Sequence, residues 1–413
     1  MTIAPDTRMT VDFDHHSADY ARRWPEIYAD LRGRCPVAHT DAHGGFTVLT
    51  RYADVERVVK DDATFSSRHD VEAGTGGITI PSPPILNIPI EMDPPEYTPY
   101  RKVLNPWFSP ARSKAYEPFT RSVTTALIDE IIESGRIDFV EHLASPVPAL
   151  LTAKLLGVPL TDWRLYSDAA HTIVFTPPES PAWQGALEKM LAVIGKCYET
   201  VVVRREQPED DLISLFVTME VEGEKLDDAT VMAMCNLIIA GGNDTTTSLL
   251  SNAFVHLSEN PDKKQWLIDD PARIGPACEE FLRFYTPTQA LARTVTTDVE
   301  IGGRHLKAGD RVLMSFASAN RDPEVFDRPD EIVLDRWPNK HQAFGLGLHR
   351  CLGSNLTRVE FRVVLEEVLR RMPDFEVDVD GSHPYDTIGI VNGYIDMPAT
   401  FTPGPREGSE FTL

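Results

Sequence analysis

The chain has 413 residues, 42% of them hydrophobic and 25% charged, with a formal net charge of −23. Such an acid excess repels nucleic acid and anionic membrane surfaces, and leaves small molecules or proteins of locally matching charge as partners. No apolar run approaches the roughly 20 residues of a membrane-spanning helix, and five scattered cysteines (Cys35, Cys197, Cys235, Cys278, Cys351) suit a reducing cytoplasm better than a disulfide framework.

Residues 1–20 are polar, carry Asp12, Asp14 and the pair His15-His16, and read as a solvated tail, neither a secretory signal nor an anchor. Helical spacing over 24–34 runs into Cys35-Pro36, alternation over 45–50 predicts a strand, and a second helix follows over 53–60. Residues 71–89, rich in Gly, Pro, Ser and Ile, lack any period and are too apolar for a free linker. They read as a loop that either closes over something or merely connects. Asp93-Pro94-Pro95 marks a helix start, where proline costs little. Helical patterns then run over 116–133, 147–156, 161–171 and 183–206, broken by Pro159, Pro177-Pro178 and Pro208. No repeat or composition shift marks a boundary, so 21–402 is expected to be one domain, followed by a loose tail over 403–413.

The longest helical pattern, 228–259, would span ~45 Å, yet its middle, Ala240-Gly241-Gly242-Asn243-Asp244-Thr245-Thr246-Thr247, is built from residues that disfavour helix interiors. Small glycines let a flat group approach, and a Thr hydroxyl can bond back to a carbonyl and widen the helix. Asp244 and Thr245 set a carboxylate beside an alcohol, the groups a proton relay uses. Taken alone, the stretch is better explained by a glycine-packed helix crossing or by a turn between two helices. Glu280 and Arg283 lie at i,i+3, the spacing of a surface salt bridge. Short strands follow at 299–301, 304–306 and 312–315, and a strand tip at 387–392. Between them, Cys351 ends a glycine-punctuated loop just before a helical pattern over 352–372, where free amides and the helix dipole favour a thiolate.

Phe344-Gly345-x-Gly347-x-His349-x-Cys351-x-Gly353 resembles the haem-ligand loop of the cytochrome P450 family. The resemblance extends over 24–401 and carries three further motifs. It implies a mainly α fold with a minor β region, a triangular helical domain plus small sheets. The cofactor it implies is heme b, with Cys351 as the metal's axial thiolate. On the match, Gly241-Gly242-Asn243-Asp244-Thr245 is the oxygen-activation stretch, in which Thr245 orders protons at the activated dioxygen and Asp244 is its acid partner. Arg101, Arg293 and His349 would contact the haem propionates, with Tyr97 standing where the family has a His. Glu280, Arg283 and Arg336 would form a structural ion network behind the Cys loop.

The activity implied is a monooxygenase that hydroxylates or epoxidises a hydrophobic small molecule. Two electrons would come from a separate ferredoxin or flavodoxin and its NAD(P)H reductase. The resemblance is to the bacterial, cytoplasmic, monomeric type. Ile78, Ile80, Ile85, Leu86, Leu237, Ile238, Ala290, Leu291, Ile388 and Val391 are expected around the substrate. Lys340, His341, Arg350, Arg101, Arg112 and Lys114 would form a basic island for an acidic donor. A haem-thiolate gas sensor without turnover gives no reason for an Asp244-Thr245 pair, and a peroxide-driven hydroxylase would dispense with it.

Overall fold

The computed structural model describes residues 9–177 and 180–411; Pro178 and the outer ends of both expected tails, 1–8 and 412–413, lie outside the described residues. Ser17 starts the first helix, Ala18–Arg34, by accepting the Tyr20 N–H on its hydroxyl. The helices expected from periodicity follow at Tyr52–Lys60, Tyr97–Leu104, Glu117–Ile131, Pro146–Leu156, Trp163–Phe175 and Trp183–Glu206. The Pro146–Leu156 helix has almost no polar face and is buried nearly all round, so neighbouring helices pack against it from several sides. Beneath it Phe139 stacks on Phe254, with ring centroids 4.2 Å apart, and Phe375 meets Phe139 edge-on.

The largest sheet has five strands in the order Val37–Thr40, Phe46–Leu49, Arg311–Ser315, Ala290–Val295, Phe65–Ser66. Its one parallel pairing joins Phe46–Leu49 to Arg311–Ser315 across some 260 residues of chain, a long-range closure that local periodicity does not announce. A three-stranded sheet joins Arg136–Asp138, Pro398–Thr400 and Glu376–Val377. The strand tip expected over 387–392 is irregular, and only Val391 bridges, to Thr288.

The expected long helix is two, Asp228–Gly242 and Asp244–Glu259, meeting at Asn243 with φ −86° and ψ −76°. Of the two expected tails, the N-terminal one is packed where described, while the C-terminal one is mostly exposed but tied down. Val11, Phe13 and Tyr20 enter the core beside Phe46, because apolar residues alternate with the polar ones that dominate the composition there. At the other end Gly404 N–H donates to Ile132 O and Phe411 meets Phe119 edge-on. Among the described residues no helix is long and apolar enough to cross a membrane.

Glu280 and Arg283 are fully buried, not a surface pair as their i,i+3 spacing alone suggests. Two guanidinium nitrogens of Arg283 reach the two carboxylate oxygens at 2.8 Å, Arg336 Nε lies 3.0 Å from Oε2, and the Asn339 amide and Val333 N–H complete the shell. Removing the carboxylate strands a charge in the core. Glu280→Ala should therefore lower the unfolding free energy by about 3–5 kcal/mol, read from urea denaturation; a loss below about 1 kcal/mol would show that the network does not hold this region.

Candidate active site

The Cys loop is held by its own backbone. Gly345 N–H donates to Gln342 O at 2.8 Å and Cys351 N–H to Phe344 O at 2.7 Å, which folds the loop back on itself. Gly345 and Gly347 sit at φ +61° and +65°, and a Cβ on Gly347 would lie 2.8 Å from Val59 O, so a side chain there is excluded twice. The loop delivers Cys351, just ahead of the Ser354–Arg371 helix, to the wall of a cavity of about 260 Å³. Its sulfur is accessible only because that cavity adjoins it; otherwise protein surrounds it. Burial pushes the thiol up, while the Gly353 N–H and the charges of Arg101, Arg350 and Arg358 pull it back toward the thiolate.

Gly241, Gly242 and Thr245 line the same cavity. Thr245 Oγ1 donates to Gly241 O at 2.8 Å, so the hydroxyl takes up a carbonyl at the helix break. A Cβ on Gly241 would meet nothing within 4 Å, whereas one on Gly242 would lie 2.7 Å from Thr152 Oγ1. Gly241 therefore opens space and Gly242 chiefly serves a helix contact.

The cavity also collects polar side chains, of which Arg293 and His349 are short of partners. Arg293 is buried, and the acceptor it has is the adjacent Ala292 O. Burial, opposed in part by Asp93, drops its guanidinium to about 10. His349 bonds Ser67 Oγ through Nε2 at 3.0 Å, while its Nδ1 is buried without a partner. Tyr97 lies against the His349 ring and donates to Leu348 O at 2.5 Å; Arg101 donates to Arg350 O at 2.6 Å. Under-satisfied cationic and polar donors beside an apolar space fit a flat apolar group with anionic substituents. With Phe344, Gly345 and Gly353 also on the wall, and open space at Gly345 and Gly353, the residues present fit a haem.

Of the expected pocket residues, Leu237, Ile238 and Leu291 line the cavity; Ile78, Ile80, Ile85, Leu86, Ala290, Ile388 and Val391 do not. Ile80, Ala290 and Ile388 instead pack with Phe13 and Tyr20, the core formed by the first residues of the chain. The apolar residues of the 71–90 segment that do line it are Ile88, Pro89 and Ile90. Sequence reasoning also missed Phe216, Leu151, Leu155 and Glu360. The last is a carboxyl pushed up to about 8 by burial, and its place at i+4 from Leu356 on the helix after the Cys loop was the available signal.

Asp244 does not line the cavity. Its carboxylate is buried, bonded by His171 Nδ1 at 2.7 Å and by the Tyr385 hydroxyl at 2.7 Å, which itself lies 3.1 Å from His171 Nδ1. Burial alone would lower His171, but the Asp244 charge and hydrogen bond more than offset it and hold the ring above 6.5. Burial, then Asp244, raises Tyr385 well above 10. No local pattern marks either partner, because the three residues come from 171, 244 and 385.

The family model for cytochrome P450 matches residues 179–270 and 276–389. A steroid C26-monooxygenase of Mycobacterium tuberculosis is 34% identical over 99% of this chain and 100% of its own. A Mycobacterium marinum cytochrome P450, CYP268A2, solved with pseudoionone, superposes with a TM-score of 0.86 at 29% identity, covering 97% of this chain and 100% of that one. CYP109E1 of Bacillus megaterium, solved with testosterone, gives a TM-score of 0.82 at 29% identity over 93% and 99%. A cysteine on a donor-rimmed cavity, the helix break beside it and a match over the whole length agree: the chain belongs to the cytochrome P450 family and is a haem-thiolate monooxygenase.

Proposed function

We propose that Cys351 holds heme b, and that the enzyme hydroxylates or epoxidises a terpenoid- or steroid-sized hydrophobic molecule in the cytoplasm, as a monomer. The observation that carries this reading is one cavity lined by Cys351, by Arg101, Arg293 and His349, by Thr245 and by apolar side chains such as Leu237 and Leu291. The relatives named or solved with steroids and a terpenoid-like ketone support the substrate class. The bound haem would supply the one-electron and dioxygen chemistry. Arg101, Arg293, His349 and Tyr97 would bind its carboxylates, and the Phe344–Gly353 loop would shield the sulfur from water. A spectral screen of terpenoids and steroids against the holoprotein tests the class; if only charged or peptide ligands perturb the haem band, it fails.

Proton delivery is assigned to Thr245 and Asp244. The Thr245 hydroxyl can leave Gly241 O and turn into the cavity, while Asp244 must break from Tyr385 or His171 to reach it. Thr245→Ala should keep substrate binding but divert reductant to peroxide, cutting product formed per NAD(P)H by at least about 10-fold; unchanged coupling would remove Thr245 from the path.

His171 binds its proton more tightly in the folded chain, so its contribution is complete below about pH 6.5 and fades as pH rises through the raised folded value. His171→Asn should accordingly cost more stability at about pH 5.5 than at about pH 8.5 in parallel denaturant titrations.

Electrons are assigned to a separate ferredoxin or flavodoxin served by an NAD(P)H reductase. Two members of the expected basic island are already engaged: His341 pairs with Glu279 at 3.1 Å, and Arg112 pairs with Asp210 at 2.8 Å and stacks on Trp107. Arg350, Lys340 and Lys114 are exposed and supply the remaining positive charge, while half-buried Arg101 lines the cavity. Arg350→Glu should slow reduction by an acidic donor and flatten its salt dependence in stopped-flow measurements; identical rates at low salt would exclude docking on this face.

A further inference from the structure

Residues 14–16 are far from the solvated tail their composition suggests. His15 is 1% exposed, and its Nδ1 is a buried ring nitrogen without any hydrogen-bond partner. His16 is half-buried; its ring lies over Gly389, where a Cβ would come within 2.3 Å of Cε1. His43 is exposed and held at φ +50°, a left-handed conformation seldom adopted by a residue with a side chain. The rings of His15 and His16 are 4.3 Å apart, and those of His16 and His43 5.1 Å. One ring nitrogen from each residue lies within 4.8 Å of the other two.

We propose that His15, His16 and His43 form a binding site for a divalent late first-row metal of the zinc class, separate from the haem cavity. Zinc–imidazole bonds of about 2.0–2.1 Å set tetrahedral ligand nitrogens about 3.3 Å apart, so the rings need to close by no more than about 1.5 Å. Imidazole suits zinc, copper and nickel, and three of them leave one position for water or an oxygen ligand. The oxygens that orient such rings, or complete the shell, are already present. Ile80 O lies 3.0 and 2.8 Å from Nε2 of His15 and His16, and Asp14 Oδ1 lies 2.8 Å from Nε2 of His43.

The left-handed backbone at His43 and the space that Gly389 leaves for the His16 ring serve the same convergence. A metal here would staple the 14–16 segment to the 42–44 turn and, through Ile80 O and the Thr387 hydroxyl on His16 O, to the segments around Ile80 and Thr387.

The test uses the full-length holoprotein, washed with EDTA and titrated with zinc chloride against a chromophoric chelator, with thermal unfolding followed in parallel. The expected result is one zinc per chain bound ahead of all others, with Tm raised by about 3 °C or more. His43→Asn changes an exposed residue to one that tolerates left-handed backbone, so it should fold with an unaltered haem spectrum yet bind that zinc at least about 10-fold more weakly. His16→Gln should do the same. Equal zinc affinity in wild type and both variants, or no preferred zinc in the wild type, would overturn the proposal.

Discussion

One carboxylate, sealed from water at Glu280, fixes the geometry on which the cysteine loop depends. It accepts from Arg283, Arg336, Asn339 and the Val333 N–H, and the spare guanidinium donors run on to the carbonyls of Asn320, Asp327, Arg328, Pro329 and Glu331. Taking these charges out of water costs several kcal/mol per ion, and only complete bonding offsets it. An aliphatic core could match that stability but would not fix the path of an irregular chain. The segment 327–342, which has no regular structure of its own, is therefore set by charge, and it leads directly into Phe344 and the turn that carries Cys351.

Across the cavity wall the constraint is a different one: a helix must be interrupted without being lost. Asn243 separates the two helices with ψ drawn out to −76°, its amide is buried with neither side-chain atom bonded, and the next helix begins at Asp244. The chain recovers part of the cost through Thr245 on Gly241 O and through Thr247, whose hydroxyl reaches Ala144 O at 3.0 Å. What the interruption yields is a wall at Gly241 with no side chain and an alcohol next to it. A buried polar group left unsatisfied at such a point is strain held in place by the packed residues around it.

Much of this was legible in the sequence, for identifiable reasons. Cys351, Gly345 and Gly347 were readable because a positive φ and a close approach to Val59 O admit only glycine, and such needs leave a mark in one local stretch. The helix break was readable because Gly, Asn and Thr contradict the long periodic run around them. The pocket was not. Ile80 and Ile388 look like pocket residues by composition, yet they cover the core built by Val11, Phe13 and Tyr20. Likewise His15, between polar neighbours, gives no sign of burial, since what buries it is the Phe46 strand and the Ile80 loop. Long-range closure decides these placements, and local period is blind to it.

The same closure links the acid at the helix break to the start of the chain. Tyr385, which donates to Asp244, packs against Gly393, and between them Thr387 holds His16 O while Gly389 makes room for the His16 ring. The segment 383–396 thus grips Asp244 at one end of its surface and the 14–16 segment at another, and its Ile395 O also receives His171. A shift in that segment changes the bonds of Asp244 before it changes anything at Cys351. Asp244 is therefore bonded into the same segment that holds residues 14–16, while the chain leading to Phe344 and Cys351 is set by the charge network around Glu280.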